Sequence, residues 1–276
     1  MNLYQAKEVT KMLLEFKCSN HRSIKEKVSF SMIAGSDNTS EELLKKFGNF
    51  RILRSAVIYG ANGSGKSNFI SALSFMKDLV SNSINHQPGQ GVFQARHKLS
   101  AEETPSEYSI QFVRNDIRYA YGFSVKQNLI QDEYLYYFPR GRQVKVFERN
   151  GLDVRPGDRY KGVFDVSISI LKDNRLFLSC AANYSNIKEI EEAFMFFNTD
   201  IVVYNPEINN WTEYSIELMQ NNDMIKRVFV DMLRALGTGA KDVKVKLEKI
   251  KLTDLPQELQ LPDALKSLLG AQEGNR

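Results

Sequence analysis

The chain has 276 residues, of which 42% are hydrophobic and 25% charged, the balance of a soluble globular protein with room for one large or two modest domains. Its longest apolar runs, Ala193–Phe197 and Ile201–Tyr204, are far too short to span a bilayer, and no basic segment followed by an apolar one opens the chain as a secretory signal would. The formal charge of +4 leans only weakly toward polyanions.

Residues 1–11 are polar and precede a second methionine, Met12. The alternation Leu14, Phe16, Cys18 predicts a strand, Asn20–Ile24 a turn, and Val28–Ile33 a second strand. A polar, partly helical link through Glu41–Lys46 leads to the apolar, β-branched run Ser55–Tyr59, read as a strand. Gly60-Ala61-Asn62-Gly63-Ser64-Gly65-Lys66-Ser67 follows, matching G-x-x-x-x-G-K-[ST] at every fixed position. Phe69, Ile70, Ala72, Leu73, Phe75, Met76, Leu79 and Val80 then recur at helical spacing.

Strand, glycine-rich turn and helix in that order predict a phosphate-binding loop. Glycines open backbone conformations in which successive N–H groups face one anion, and the following helix adds the positive end of its dipole. Lys66 is placed to reach the β- and γ-phosphates of ATP, and the Ser67 hydroxyl to ligate Mg²⁺.

Beyond a loop rich in turn formers (Asn82, Asn85, Pro88, Gly89, Gly91), the texture changes. Tyr108–Phe112, Ile117–Phe123, Glu133–Phe138 and Val144–Glu148 alternate, with turns at Asn115-Asp116, Pro139–Gly141 and Asn150-Gly151. This predicts an antiparallel meander rather than parallel β-α-β units. Helices are expected over Asn186–Phe197 and Asp223–Leu236, the latter ended by Gly237. Val243, Val245 and Leu247 mark a charged strand, and a last short helix falls around Asp263–Leu269 after Pro256 and Pro262.

Cys18 and Cys180 form no metal pattern and read as reduced, cytosolic thiols; His21, His86 and His97 are too scattered for a metal site. The basic clusters at Arg96–Lys98, Arg140–Arg142 and Lys241–Lys251 have acidic residues nearby and read as solvated surface before they read as a nucleic-acid patch.

Asn20 to Ile24, Gly60 to Asn68, Ala72–Met76, Ile117–Phe123, Glu133–Pro139 with Phe147–Arg149, and Asn174–Ser179 occur in an order that resembles the AAA-type ATP/GTP phosphatase family of bacterial ABC-like ATPases. That family is related to SMC, RecF and OLD proteins and includes components of abortive-infection and other anti-phage systems. The resemblance covers Met12 to about Lys251. It implies a mixed α/β P-loop NTPase fold of ABC type, with ATP and Mg²⁺ as ligands. Its expected layout is a polar extension at 1–11, a nucleotide-binding lobe with an antiparallel sheet at 12–170, a helical arm at 171–240, and a return strand and tail at 241–276. It also implies ATP-driven dimerisation and hydrolysis in the cytoplasm, either as a homo-oligomer or with a partner protein supplying an effector or the rest of the ATPase. Nucleic acid is a further partner class, and a membrane is not.

Two residue roles follow from the same resemblance. Arg22, in the position of the N-F-R-S arginine, is a candidate nucleotide contact, with His21 standing where the family usually has Phe. Asn68 is a candidate support of the Mg²⁺ shell; Gln94 and Gln111 are the available Q-loop glutamines. The Walker B carboxylates and the signature loop lie, in the family, downstream of a strand like Lys241–Lys251. Ile201–Glu207, Val228–Asp231 and Leu178–Ala181 do not substitute for them, so the sequence reads as the N-terminal part of such an ATPase.

Overall fold

The computed structural model describes residues 10–36, 41–204 and 211–245. The chain divides into two compact units, Met1–Tyr204 and Asn205–Arg276.

The first unit is built on a seven-stranded sheet. Its strands are β1 (Lys11–Ser19), β2 (Val28–Ser31), β5 (Ser106–Arg114), β6 (Ile117–Lys126), β7 (Leu129–Phe138), β8 (Val144–Asn150) and β9 (Asp153–Pro156). They run in the order β2-β1-β5-β6-β7-β8-β9, with every neighbouring pair antiparallel. The expected meander is therefore present, and β1 and β2 extend it on one side. Asn115 and Asp116 turn the β5–β6 corner with φ of 50° and 60°, left-handed values that asparagine and aspartate tolerate better than most residues.

One sheet face is covered by helices. Helix α1 (Lys66–Asn82) presses Phe69, Ala72, Met76, Leu79 and Val80 onto it, at the helical spacing that the sequence displays. Helices α3 (Phe177–Tyr184) and α4 (Lys188–Met195) complete the layer; the short α2 (Asp165–Ser169) precedes them. Phe16, Tyr108, Phe112, Tyr119, Tyr121 and Phe123 line the sheet side of this core, where Phe112 stacks on Phe196 at 3.8 Å between centroids. Helix α4 continues beyond Met195 into a π-helical turn, Phe196–Asp200, which brings both Phe196 and Phe197 inward.

Two expectations change. The Glu41–Lys46 link holds a hairpin, β3 (Leu44–Phe47) and β4 (Phe50–Leu53), after one 3-10 turn. Leu44 and Phe47 flank the exposed Lys45 and Lys46, and Ile52 joins Leu14 and Val113 in a second, smaller core. A bulge between Leu13 and Glu15 accompanies the assignment of Leu14 to that second cluster. The other change is at Ser55–Tyr59, which forms no strand. A strand exists only by pairing, and no described segment pairs with this one; Val57 and Tyr59 are 83% and 90% exposed.

Of the second unit, helices α5 (Trp211–Asn221) and α6 (Asp223–Ala235) are described. Asn222 caps α6 by accepting from Met224 N and Ile225 N, and Gly237 follows the helix with a φ of 74°. Residues 241–245 take no regular structure; the rest of the charged strand expected near Val243–Leu247, and the helix expected near Asp263, lie outside the described residues. Among the described residues no helix is long and apolar enough to cross a membrane.

Candidate functional site

The glycine-rich loop runs directly into α1, whose N-cap is Gly65 at φ 95°, ψ 5°. Gly63 also has a positive φ, 80°, so two of the loop's glycines occupy backbone conformations that side chains resist. No side chain caps the helix and no acidic residue stands in its first turn. The N–H groups at this end are accordingly left for another acceptor, with the positive pole of the helix behind them. A phosphate satisfies both needs.

Lys66 extends from the same turn. Its ammonium donates to the carbonyls of Gly60 and Ala61, each at 2.8 Å, folding back over its own loop. Ser67 is exposed, and Asn68 donates from Nδ2 to Ser23 Oγ at 2.7 Å. Among the described residues no group of three His, Cys, Asp or Glu side chains could hold a metal ion, and no ion pair engages Lys66. This donor set suits Mg²⁺ held by one hydroxyl, phosphate oxygens and water better than a cation caged by carboxylates.

The Asn20–Ile24 turn lies against this loop. Asn20 and Arg22 have φ values of 52° and 50°, and His21 bridges to Ile24. The Asn20 side chain donates to Thr104 O and accepts from His97 N, while Arg22 N donates to Ala95 O at 2.6 Å. His21 is buried between two elements, with Nδ1 2.9 Å from Tyr108 Oη on β5 and Nε2 3.3 Å from Ser71 Oγ on α1. Burial, and then the charge of Arg22, pull the His21 pKa down to about 4, so the ring is neutral at pH 7. Ser23 Oγ sits where a Cβ on Gly65 would come within 3.0 Å.

The structure thus brings the Arg22 turn and Asn68 together through Ser23, a residue that sequence reasoning quoted but assigned no role. Its signal is weak, because a serine in a turn is ordinary. Gln111 instead bonds Glu15 Oε2. Gln94 reaches Val125 O at 3.5 Å, one residue from the Ala95 carbonyl that receives Arg22 N, and its own Oε1 is buried without a partner. Leu178–Ala181 lies inside α3 and Val228–Asp231 inside α6, so neither is a phosphate-facing loop.

Three more of the quoted segments meet at one buried knot. Glu133 and Arg149, both with fully buried side chains, pair at 3.1 Å. Glu133 also accepts from Tyr121 Oη and from the backbone N–H groups of Phe177 and Leu178, at the start of α3. Burial raises the Glu133 pKa, against the lowering effect of Arg149 and these N–H groups. Nearby, Asn174 donates to the carbonyls of Gln87 and Gln90, Arg175 to His86 O, and Ser83 Oγ accepts from Leu176 N. The segment following α1 is thereby tied to α3 and through it to the sheet.

No curated protein matches the chain. Residues 55–161, from the lead-in of the loop through the last strand of the sheet, match the family model described as "AAA domain, putative AbiEii toxin, Type IV TA system". The matched span holds the uncapped, glycine-rich helix start and five strands of the sheet, and over these residues the chain is similar to that AAA domain.

Proposed function

We propose that this chain is an ATP-binding P-loop ATPase subunit of ABC/SMC-like type, whose nucleotide drives dimerisation and is then hydrolysed, in a phage-defence or nucleic-acid-linked system. The observation that carries the reading is the start of α1: Gly63 and Gly65 at positive φ, an uncapped N-terminus free of acidic residues, and Lys66 rooted in its first turn. In this reading Gly60, Ala61, Asn62, Gly63, Ser64 and Gly65 wrap the phosphates with backbone N–H groups. Lys66 leaves the carbonyls of Gly60 and Ala61 to meet the β- and γ-phosphates and stabilises charge that develops in phosphoryl transfer. Ser67 holds Mg²⁺ with Asn68 beside it, and Arg22 reaches the nucleotide from the neighbouring turn. Bound Mg²⁺ would supply neutralisation of phosphate charge. Residues 12–170 serve as the nucleotide-binding lobe and 171–240 as an arm, as the resemblance implies.

A second reading, a nucleotide-binding regulatory module that does not hydrolyse ATP alone, is favoured by one observation. Among the described residues no carboxylate bonds Ser67 or Lys66, so none of these is in place to orient water. Fluorescent-ATP titration and phosphate release on the purified chain separate the two. Lys66→Ala should weaken ATP binding at least about tenfold, the loss of a charge-assisted contact; an unchanged affinity and turnover would sink the assignment. Stoichiometric binding with no phosphate released leaves the regulatory module.

A further inference from the structure

Ser23 makes a contact that neither the motif nor the family match covers. It lies outside residues 55–161, yet its hydroxyl accepts from Asn68 Nδ2 at 2.7 Å and stands over Gly65, the N-cap of α1. The turn that carries it is held on several sides. Asn20 is bonded to Thr104, His97 and Ser106, His21 approaches Tyr108 and Ser71, and Arg22 N bonds Ala95 O. Ser23 is itself exposed, but the turn that carries it is held in place.

A carboxamide has a donor end and an acceptor end, and rotating it exchanges them. Serine Oγ can accept from one end or donate to the other, so the 2.7 Å contact fixes where the Asn68 carboxamide sits. The end turned away from Ser23 is left for other partners, since the carboxamide makes no second hydrogen bond among the described residues. Asn68 is adjacent to Ser67, the residue proposed to hold Mg²⁺. Water bound to Mg²⁺ is a strong donor that needs acceptors around it, and a carboxamide held beside the ion can turn its oxygen to that water.

We propose that Ser23 is a positioning residue of the phosphate site: it holds the Asn68 carboxamide in place beside Ser67 so that its oxygen serves the hydration shell of nucleotide-bound Mg²⁺. The proposal rests on the nucleotide reading above. It concerns the gain in affinity that Mg²⁺ confers rather than binding of the nucleotide as such.

The test measures a fluorescent ATP analogue binding to the full chain with Mg²⁺ and with EDTA, alongside the melting temperature of each variant. Ser23→Ala should lose about two- to tenfold of the Mg²⁺-dependent gain, the range of one hydrogen bond, with the EDTA affinity and melting temperature unchanged. Asn68→Ala should show the same loss, and the double variant no more than either single. Ser23→Thr, which keeps the hydroxyl, should restore the gain. An unchanged gain in Ser23→Ala overturns the inference, as does an equal loss with and without Mg²⁺, or single effects that add in the double variant. Wild-type protein with no affinity for the analogue overturns the nucleotide reading itself, and this inference falls with it.

Discussion

His21 shows how one substitution in a motif is absorbed. In the resembling family this position is usually Phe, which needs only an apolar pocket. The ring here keeps aromatic company, 5.8 Å from Tyr108 and 6.1 Å from Phe75 between centroids, and adds polar contacts to Tyr108 and Ser71. The cost is a titration. A pKa of about 4 in the fold against 6.5 in the open chain means that the unfolded state takes up the proton first as pH falls. The His21 contribution is complete above pH 6.5 and is withdrawn as pH drops toward 4, by roughly 3 kcal/mol over the whole window. Glu133 acts in the opposite sense, since its raised pKa makes protonation favour the fold. Melting temperatures of wild type and His21→Phe between pH 7 and pH 4 isolate the histidine: the wild type should lose more stability across the window, and parallel curves would refute the assignment.

At the scale of elements, the knot at Glu133 and Arg149 joins strands β7 and β8 to the first turn of α3. Two backbone N–H groups at that helix start are satisfied by a carboxylate, which itself has an arginine partner bonded to three carbonyls, those of Gly151, Arg175 and Lys172. Removing one charge leaves the other buried alone. Arg149→Met should cost about 3–5 kcal/mol, seen as a large fall in the denaturant midpoint. A change below about 1 kcal/mol would show that water relieves the site.

The same scale explains what was legible. The meander could be read because its alternation is strict and its turns carry Asn-Asp, Pro-Arg-Gly and Asn-Gly. Helix α1 and its phosphate loop could be read because one spacing fixes both. The β3–β4 hairpin was hidden because its strands are short and each faces the core with only one or two residues. Ser55–Tyr59 misled in the other direction: its composition favours a strand, but pairing partners are a property of the fold and not of the segment. Ser23 could not be found because its importance lies in a contact 45 residues away in sequence.

For the molecule as a whole, the large core is contained in the first unit. From Leu13 through Ile201, every one of its members among the described residues lies before Tyr204. A fragment ending at Tyr204 should therefore fold cooperatively, with a melting temperature within a few degrees of the full chain. Loss of cooperative melting would mean that the second unit supplies structure to the first.

The lead-in Ser55–Tyr59 gives the phosphate loop two unlike anchors. On one side Lys66 begins a helix whose buried face is part of the core; on the other, the chain approaches the loop through residues whose backbone is unpaired and whose side chains meet water. A ligand that orders the loop from the helix side must also settle that approach, and anything that pairs with Val57 and Tyr59 settles it in advance. By reciprocity, whatever pairing of the approach does to occupancy of the loop, occupancy does to the pairing by the same factor. The affinity proposed for this loop is thus open to control through the stretch of backbone that leads into it.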